Sequence, residues 1–210
     1  MTAPLPETTE LGLDAQAQRV DQLARDILRD NYVHFRVERL EVLEEDQQVQ
    51  VKVRLFRPMQ GDMQQIDGRG VGLIDALFDG ITRAYAGEYP SLKTIAVADF
   101  RVGAGFDQAK GRRSDALAVA ELRVRNSEGV EFCFERRTPS VTGSSARVAL
   151  DALTFFINSE RAYVQLQLAL KDAAERRRSD LVERYRQQMS VLVHATSYSE
   201  VIEKLRSEGA

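Results

Sequence analysis

Along the first ordered stretch of the chain, Leu13, Ala17, Val20, Leu23, Ala24, Ile27 and Leu28 recur every three or four residues, with Asp and Arg between them. That spacing predicts an amphipathic helix ending around Asp30 to Tyr32. The period then changes. In VHFRVERLEVL, Phe35 and Val37 alternate with polar residues before the phase shifts to Leu40 and Val42, as in a strand with a bulge. In QVQVKVRLF the alternation of Val49, Val51, Val53 and Leu55 is strict, which predicts an antiparallel strand with one buried and one wet face, hairpin-paired to its predecessor around EEDQQ. The polar connection RPMQGDMQQID leaves room for a short third strand. A glycine-rich segment, Gly68 to Gly72, precedes a helix whose apolar face is Leu73, Ile74, Leu77, Ile81 and Tyr85, ending at Gly87 and Pro90.

The order then repeats. KTIAVADFRV, SDALAVAELRV and VEFCFERR read as strands, the last two joined by a turn at Asn126, Ser127, Glu128 and Gly129. TGSSARVALDALTFFI reads as a helix with Ser and Thr capping residues at its start. The expected fold is α+β: two tandem β-β-β-α units of antiparallel sheet covered by helices, with N- and C-terminal helical extensions. The expected organisation is a flexible 1–12, an N-terminal helix 13–32, a core domain 33–159 and a helical extension 160–210. Within that extension Arg176, Arg177 and Arg178, flanked by Glu175 and Asp180, read as a solvated helix face.

Composition narrows the function. With 210 residues and 43% hydrophobic content the chain can bury one substantial core but not several. Charged residues reach 29% yet sum to −3, so nothing favours nucleic acid or an anionic membrane. The start carries no basic and apolar leader, and no run of about 18 apolar residues occurs, so a cytoplasmic protein without membrane attachment is expected. The one cysteine, Cys133 between Phe132 and Phe134, reads as a small buried apolar residue rather than a redox or metal group. His34 and His194 are far apart and form no metal pair, and no nucleophile stands beside a base. No cofactor is expected. The glycine segment is compatible either with a tight turn into the helix or with an anion held by helix-start N–H groups.

Four motifs in order, across Val33 to Ser159, resemble the C-terminal regulatory domain of 2-isopropylmalate synthases and citramalate synthases. The family's G-x-G-P-V-(D/N)-A turn is matched by Gly70, Val71, Gly72, Leu73, Ile74, Asp75 and Ala76, with Leu73 in place of proline. Its Tyr-Pro and D-Y-(K/R)-V pattern is matched by Tyr89 and Pro90 and by Asp99, Phe100, Arg101 and Val102. Its G-T-D-A strand start is matched by Arg113, Ser114, Asp115 and Ala116, and its second helix start by Thr138 through Leu153, with Ser140 for Gly and Ser144 for Asn.

The resemblance implies a domain that dimerises and binds a pathway end product, leucine or isoleucine, in branched-chain amino-acid biosynthesis. Carried over by position, the effector site would draw on Gly72, Leu73, Ile74 and Asp75; on Val97, Asp99, Phe100 and Ala104; and on Asp115, Ala116, Val141, Thr142 and Gly143. The family's catalytic part is a metal-dependent barrel of roughly 250 residues, which this chain does not hold. The expected protein is therefore not an acyltransferase enzyme but a homodimeric regulatory module, with a separately encoded catalytic subunit as a further partner. The alternative is a structural dimer of the same fold that has lost its ligand.

Overall fold

The computed structural model describes residues 12–57, 61–105 and 117–193. A two-residue strand β1 (Gly12–Leu13) leads into α1 (Ala15–Leu28), which ends in a 3-10 turn, Arg29–Asn31. The first unit follows as β2 (Arg36–Glu45), β3 (Gln48–Arg57), β4 (Asp62–Gly70) and α2 (Leu73–Tyr85). The second is β5 (Ala96–Gly105), β6 (Leu117–Arg125), β7 (Glu131–Thr138) and α3 (Val141–Glu175), after which α4 (Ser179–Val193) returns along α3. All strand pairs are antiparallel, in sheets ordered β2-β3-β4 and β1-β7-β6-β5. The two β-β-β-α units expected from periodicity are present.

Helix α2 lies over β3 and β4, α3 lies over β6 and β7, and the two helices pack on each other, so the units meet through their helices. One hydrophobic core results. The inward face of the first sheet is aliphatic, with Val49, Val51, Val53, Leu55 and Ile66 buried. That of the second is aromatic: Phe132 and Phe134 of β7 meet Phe155 and Phe156 of α3 at centroid distances of 5.1 to 5.8 Å, tilted or edge-on, the geometry preferred by ring quadrupoles. The outward faces carry charge. In the first sheet Glu41, Lys52 and Asp67 stand side by side on three adjacent strands, an alternation of sign that suits a wet face.

The bulge expected in the first strand lies between Val37 and Arg39. The turn at Asn126 also forms as expected: its side-chain oxygen accepts the N–H groups of Glu128 and Val130, each at 3.0 Å, and Gly129 takes a φ of +80°. Three expectations change, and two elements run across expected boundaries. β4 spans nine residues and runs through Gly68 and Gly70, so these glycines belong to a strand rather than to a turn. Gly12 pairs with Glu135 in β1, which shortens the lead-in; residues 1–11, like His194, lie outside the described residues. Helix α3 passes without a break through Ser159, the expected end of the core domain. Arg176 to Arg178 are not a helix face but the turn between α3 and α4, with Arg177 at φ +56° and Arg176 and Arg178 paired to Asp172 and Asp180. Cys133 is only half-buried, because alternation turns it away from the core that takes Phe132 and Phe134. Burial still pushes its thiol above the ordinary range.

Helix α1 packs on α3, and its start is pinned to β7 by one residue. Asp14 accepts the Ala17 N–H at 2.7 Å as the helix cap and, through its other oxygen, the Cys133 N–H of β7 at 2.8 Å. A carboxylate at a helix N-terminus is favoured by the exposed N–H groups there.

Candidate functional site

The described residues among those expected to bind an effector sit in three places. The first is the β4–α2 junction. A Cβ added at Gly68 would lie 1.9 Å from the Ala76 carbonyl oxygen, and one at Gly70 would lie 2.5 Å from the Ala76 N. Neither position has room for a side chain, so glycine here serves the close approach of helix to strand. Gly72, by contrast, faces open space as the N-cap of α2, and no side chain caps that helix. Its first N–H groups therefore keep the unsatisfied character common to helix starts. Ile74 is core, and Leu73 is packed against it.

Two carboxylates on successive turns of α2 hold the backbone that leads into it. Asp75 accepts the Val71 N–H at 3.0 Å, and Asp79 accepts the Arg69 N–H at 2.9 Å while pairing with Arg83 at 2.6 Å. Partial burial opposes ionisation of Asp79, but the Arg69 N–H and Arg83 outweigh it and hold the carboxyl below its usual range. At the far end of the helix, burial raises the Tyr85 hydroxyl to about 12.

The second place is β5, the open edge of its sheet. A bulge between Val97 and Asp99 sets Val97 opposite Val124 and Phe100 opposite Leu122, so both face the helix side, where their partners are fully buried. Among the described residues, no helix covers this strand as α3 covers β6 and β7. Val97 consequently stays 41% exposed and Val102 40%. Asp99 pairs along its own strand with Arg101 at 2.9 Å. Ala104 is in register with Ala118.

The third place is the β7–α3 junction, built on hydroxyls instead of glycines. Ser140 caps α3 by accepting the Gly143 N–H at 3.1 Å. Thr138 donates to the Ser140 carbonyl at 2.8 Å, Ser144 donates to the Ala118 carbonyl at 2.9 Å, and the two hydroxyl oxygens lie 2.9 Å apart. Val141 is 56% exposed and Thr142 is exposed. Asp115 and Ala116 lie outside the described residues.

The structure thus sets Gly72 to Asp75 and Val141 to Gly143 at equivalent helix starts of the two units, with Val97, Asp99 and Phe100 along the edge strand. Among the described residues, none of those predicted lines the depressions formed by Asp67, Arg69, Asp79 and Arg83, by Phe35 to Val37 with Arg136 and α3, or by the outer face of α1. Sequence reasoning passed over Arg136, whose Nη2 donates to Asp151 at 2.8 Å while its Nε contacts the other carboxylate oxygen. Burial pushes the Asp151 carboxyl up, against the pull of Arg136 and Arg147. The available signal was a charged residue continuing the inward alternation of Phe132 and Phe134.

The sequence matches the LeuA allosteric (dimerisation) domain family over residues 14–157, from the cap of α1 to the middle of α3. No individual curated protein matches the chain. The first β-β-β-α unit, the three strands of the second and the first half of α3 lie within the matched span. Since that span is the larger part of the sequence, the chain belongs to the LeuA allosteric (dimerisation) domain family.

Proposed function

We propose that this regulatory dimerisation domain is non-catalytic, binds leucine or isoleucine as a homodimer, and passes the signal to a separately encoded catalytic subunit of branched-chain amino-acid biosynthesis. The observation that carries the reading is the uncapped start of α2, with Gly72 facing open space, in a chain that also leaves Val97 and Val102 of β5 uncovered. Helix-start N–H groups favour a carboxylate, and an apolar surface selects a hydrocarbon side chain. A second copy would supply the cover that one chain lacks.

Thermal unfolding with millimolar leucine, isoleucine and valine tests this, alongside sedimentation to give the oligomeric state. A ligand at 100 times its Kd stabilises by about 2.7 kcal/mol, so a selective rise in Tm is expected. An unmoved Tm in a dimeric protein would instead favour a structural dimer that has lost its ligand. That second reading has its own support in the β7–α3 junction, where Ser140 already occupies the Gly143 N–H.

A further inference from the structure

Apart from the effector residues, Arg136 of β7 and Arg147, Leu150 and Asp151 of α3 join Phe35 and Val37 in lining a cavity of about 190 Å³ where the first unit meets the second. Its charges are unevenly committed. Asp151 is gripped by Arg136 through two nitrogens, and both side chains are mostly buried. Arg36, also on the rim, pairs with Glu38 at 2.5 Å and lies over the Phe56 ring. Arg147, one helical turn before Asp151, is exposed and has no hydrogen-bond or ion-pair partner among the described residues.

A guanidinium presents a planar fork of donors that matches a carboxylate. The opposite wall is hydrocarbon, from half-buried Phe35 and Val37 and from buried Leu150. At ~30 Å³ per water-sized group, the cavity holds roughly six such groups, the size of a short alkyl chain with one acidic head. Among the described residues the one carboxylate lining it, Asp151, is gripped by Arg136 and drawn also by Arg147, so an ammonium finds no free counter-charge here.

We propose that this cleft is a binding site for a small monocarboxylate with a short alkyl tail, the head on Arg147 and the tail against Phe35, Val37 and Leu150. Because the walls come from both units, an occupant would brace β2 against α3. This site is separate from the amino-acid site proposed above and does not depend on it.

Calorimetric titration of the full chain with 4-methylpentanoate is the test, with the neutral 4-methylpentanamide and tail-less acetate as comparisons. Saturable binding is expected for 4-methylpentanoate only. Losing a charge-assisted hydrogen bond should weaken it by about tenfold or more in Arg147→Ala, with partial recovery in Arg147→Lys. Arg147 is exposed, and its pull on Asp151 is weaker than that of Arg136, so both variants should fold and unfold within a few degrees of the wild type. The leucine-induced rise in Tm should be the same in Arg147→Ala as in the wild type, which separates the two sites. Absence of saturable binding, equal binding of the amide, or undiminished binding by Arg147→Ala would each overturn the proposal.

Discussion

The two units of this protein share a plan and differ in how they join strand to helix. Both begin with an edge strand that carries a bulge near its start, at Val37/Arg39 in β2 and Val97/Asp99 in β5, and both set their helix over the second and third strands. In the first unit the junction is made by removing side chains, so that Gly68 and Gly70 let α2 press on β4. In the second it is made by adding hydrogen bonds, through Thr138, Ser140 and Ser144. Close contact through glycine leaves N–H groups at the helix start unfilled, whereas hydroxyl capping fills them. The first unit is therefore built with an open helix start, and the second with a closed one.

Helix α3 is the element on which the other helices converge. It carries the aromatic cluster, and α1, α2 and α4 all pack on it. The largest effect is accordingly expected there. Phe156→Ala, at a fully buried ring, should cost about 3–5 kcal/mol in denaturant unfolding; a loss below about 1 kcal/mol would show that the aromatic cluster does not carry the second unit.

The contrast between glycines comes next. Gly68→Ala forces a Cβ onto the Ala76 carbonyl, and such overpacking costs typically about 1–3 kcal/mol. Gly72→Ala meets nothing within 4 Å and should cost less, about 0.5–1 kcal/mol, from alanine's poorer fit to an N-cap. Equal losses from the two variants would break the distinction between a packed and an open glycine.

Exchanging the caps sharpens the comparison further. Ser140→Ala removes the cap of α3 and should cost about 1 kcal/mol, read as a lowered midpoint with an unchanged slope. Gly72→Ser adds a cap to α2 and should gain a few tenths of a kcal/mol. If the α2 start is the effector's carboxylate site, that same variant should lose the leucine-induced rise in Tm, because the new hydroxyl competes for the N–H groups.

The smallest effect concerns His34, on the segment that leads from α1 into the first unit. Burial, and then the nearby Arg25, lower its pKa from the ordinary 6.5. The unfolded chain then binds the proton more readily than the folded one, so stability is full above pH 6.5 and declines as pH falls toward the folded pKa. His34→Gln should flatten that small slope in Tm between about pH 7 and 5. An unchanged slope would assign it to other groups.

Much of this architecture was legible because periodicity is a local property of the chain. The strict alternation of Val49 to Leu55 and the helical spacing of Val20 to Leu28 each identified an element and its buried face. β4 was nearly invisible because its inward positions are Ile66 and Gly68, and a glycine erases the apolar beat it replaces. The expected boundary at Ser159 is where the family resemblance ends, and the three consecutive polar residues there, Asn158, Ser159 and Glu160, are buried. Each is satisfied by a specific partner: Asn158 by both backbone groups of Val33, Ser159 by the Phe155 carbonyl and Glu160 by the Ser91 N–H. A buried polar residue is stable once paired, and the pairing partner is more than 60 residues away for two of the three.

The effector residues show the same division. Motif order sufficed to assign the family, and local pattern sufficed to locate the two helix starts. Which glycine carries a packing requirement, which N-terminus is already capped and which arginine is left without a partner were decided only in three dimensions. Hydrophobic period depends on neighbours a few residues apart, whereas steric exclusion at Gly68 and the partners of Ser144 and Arg147 depend on atoms that only the fold brings together.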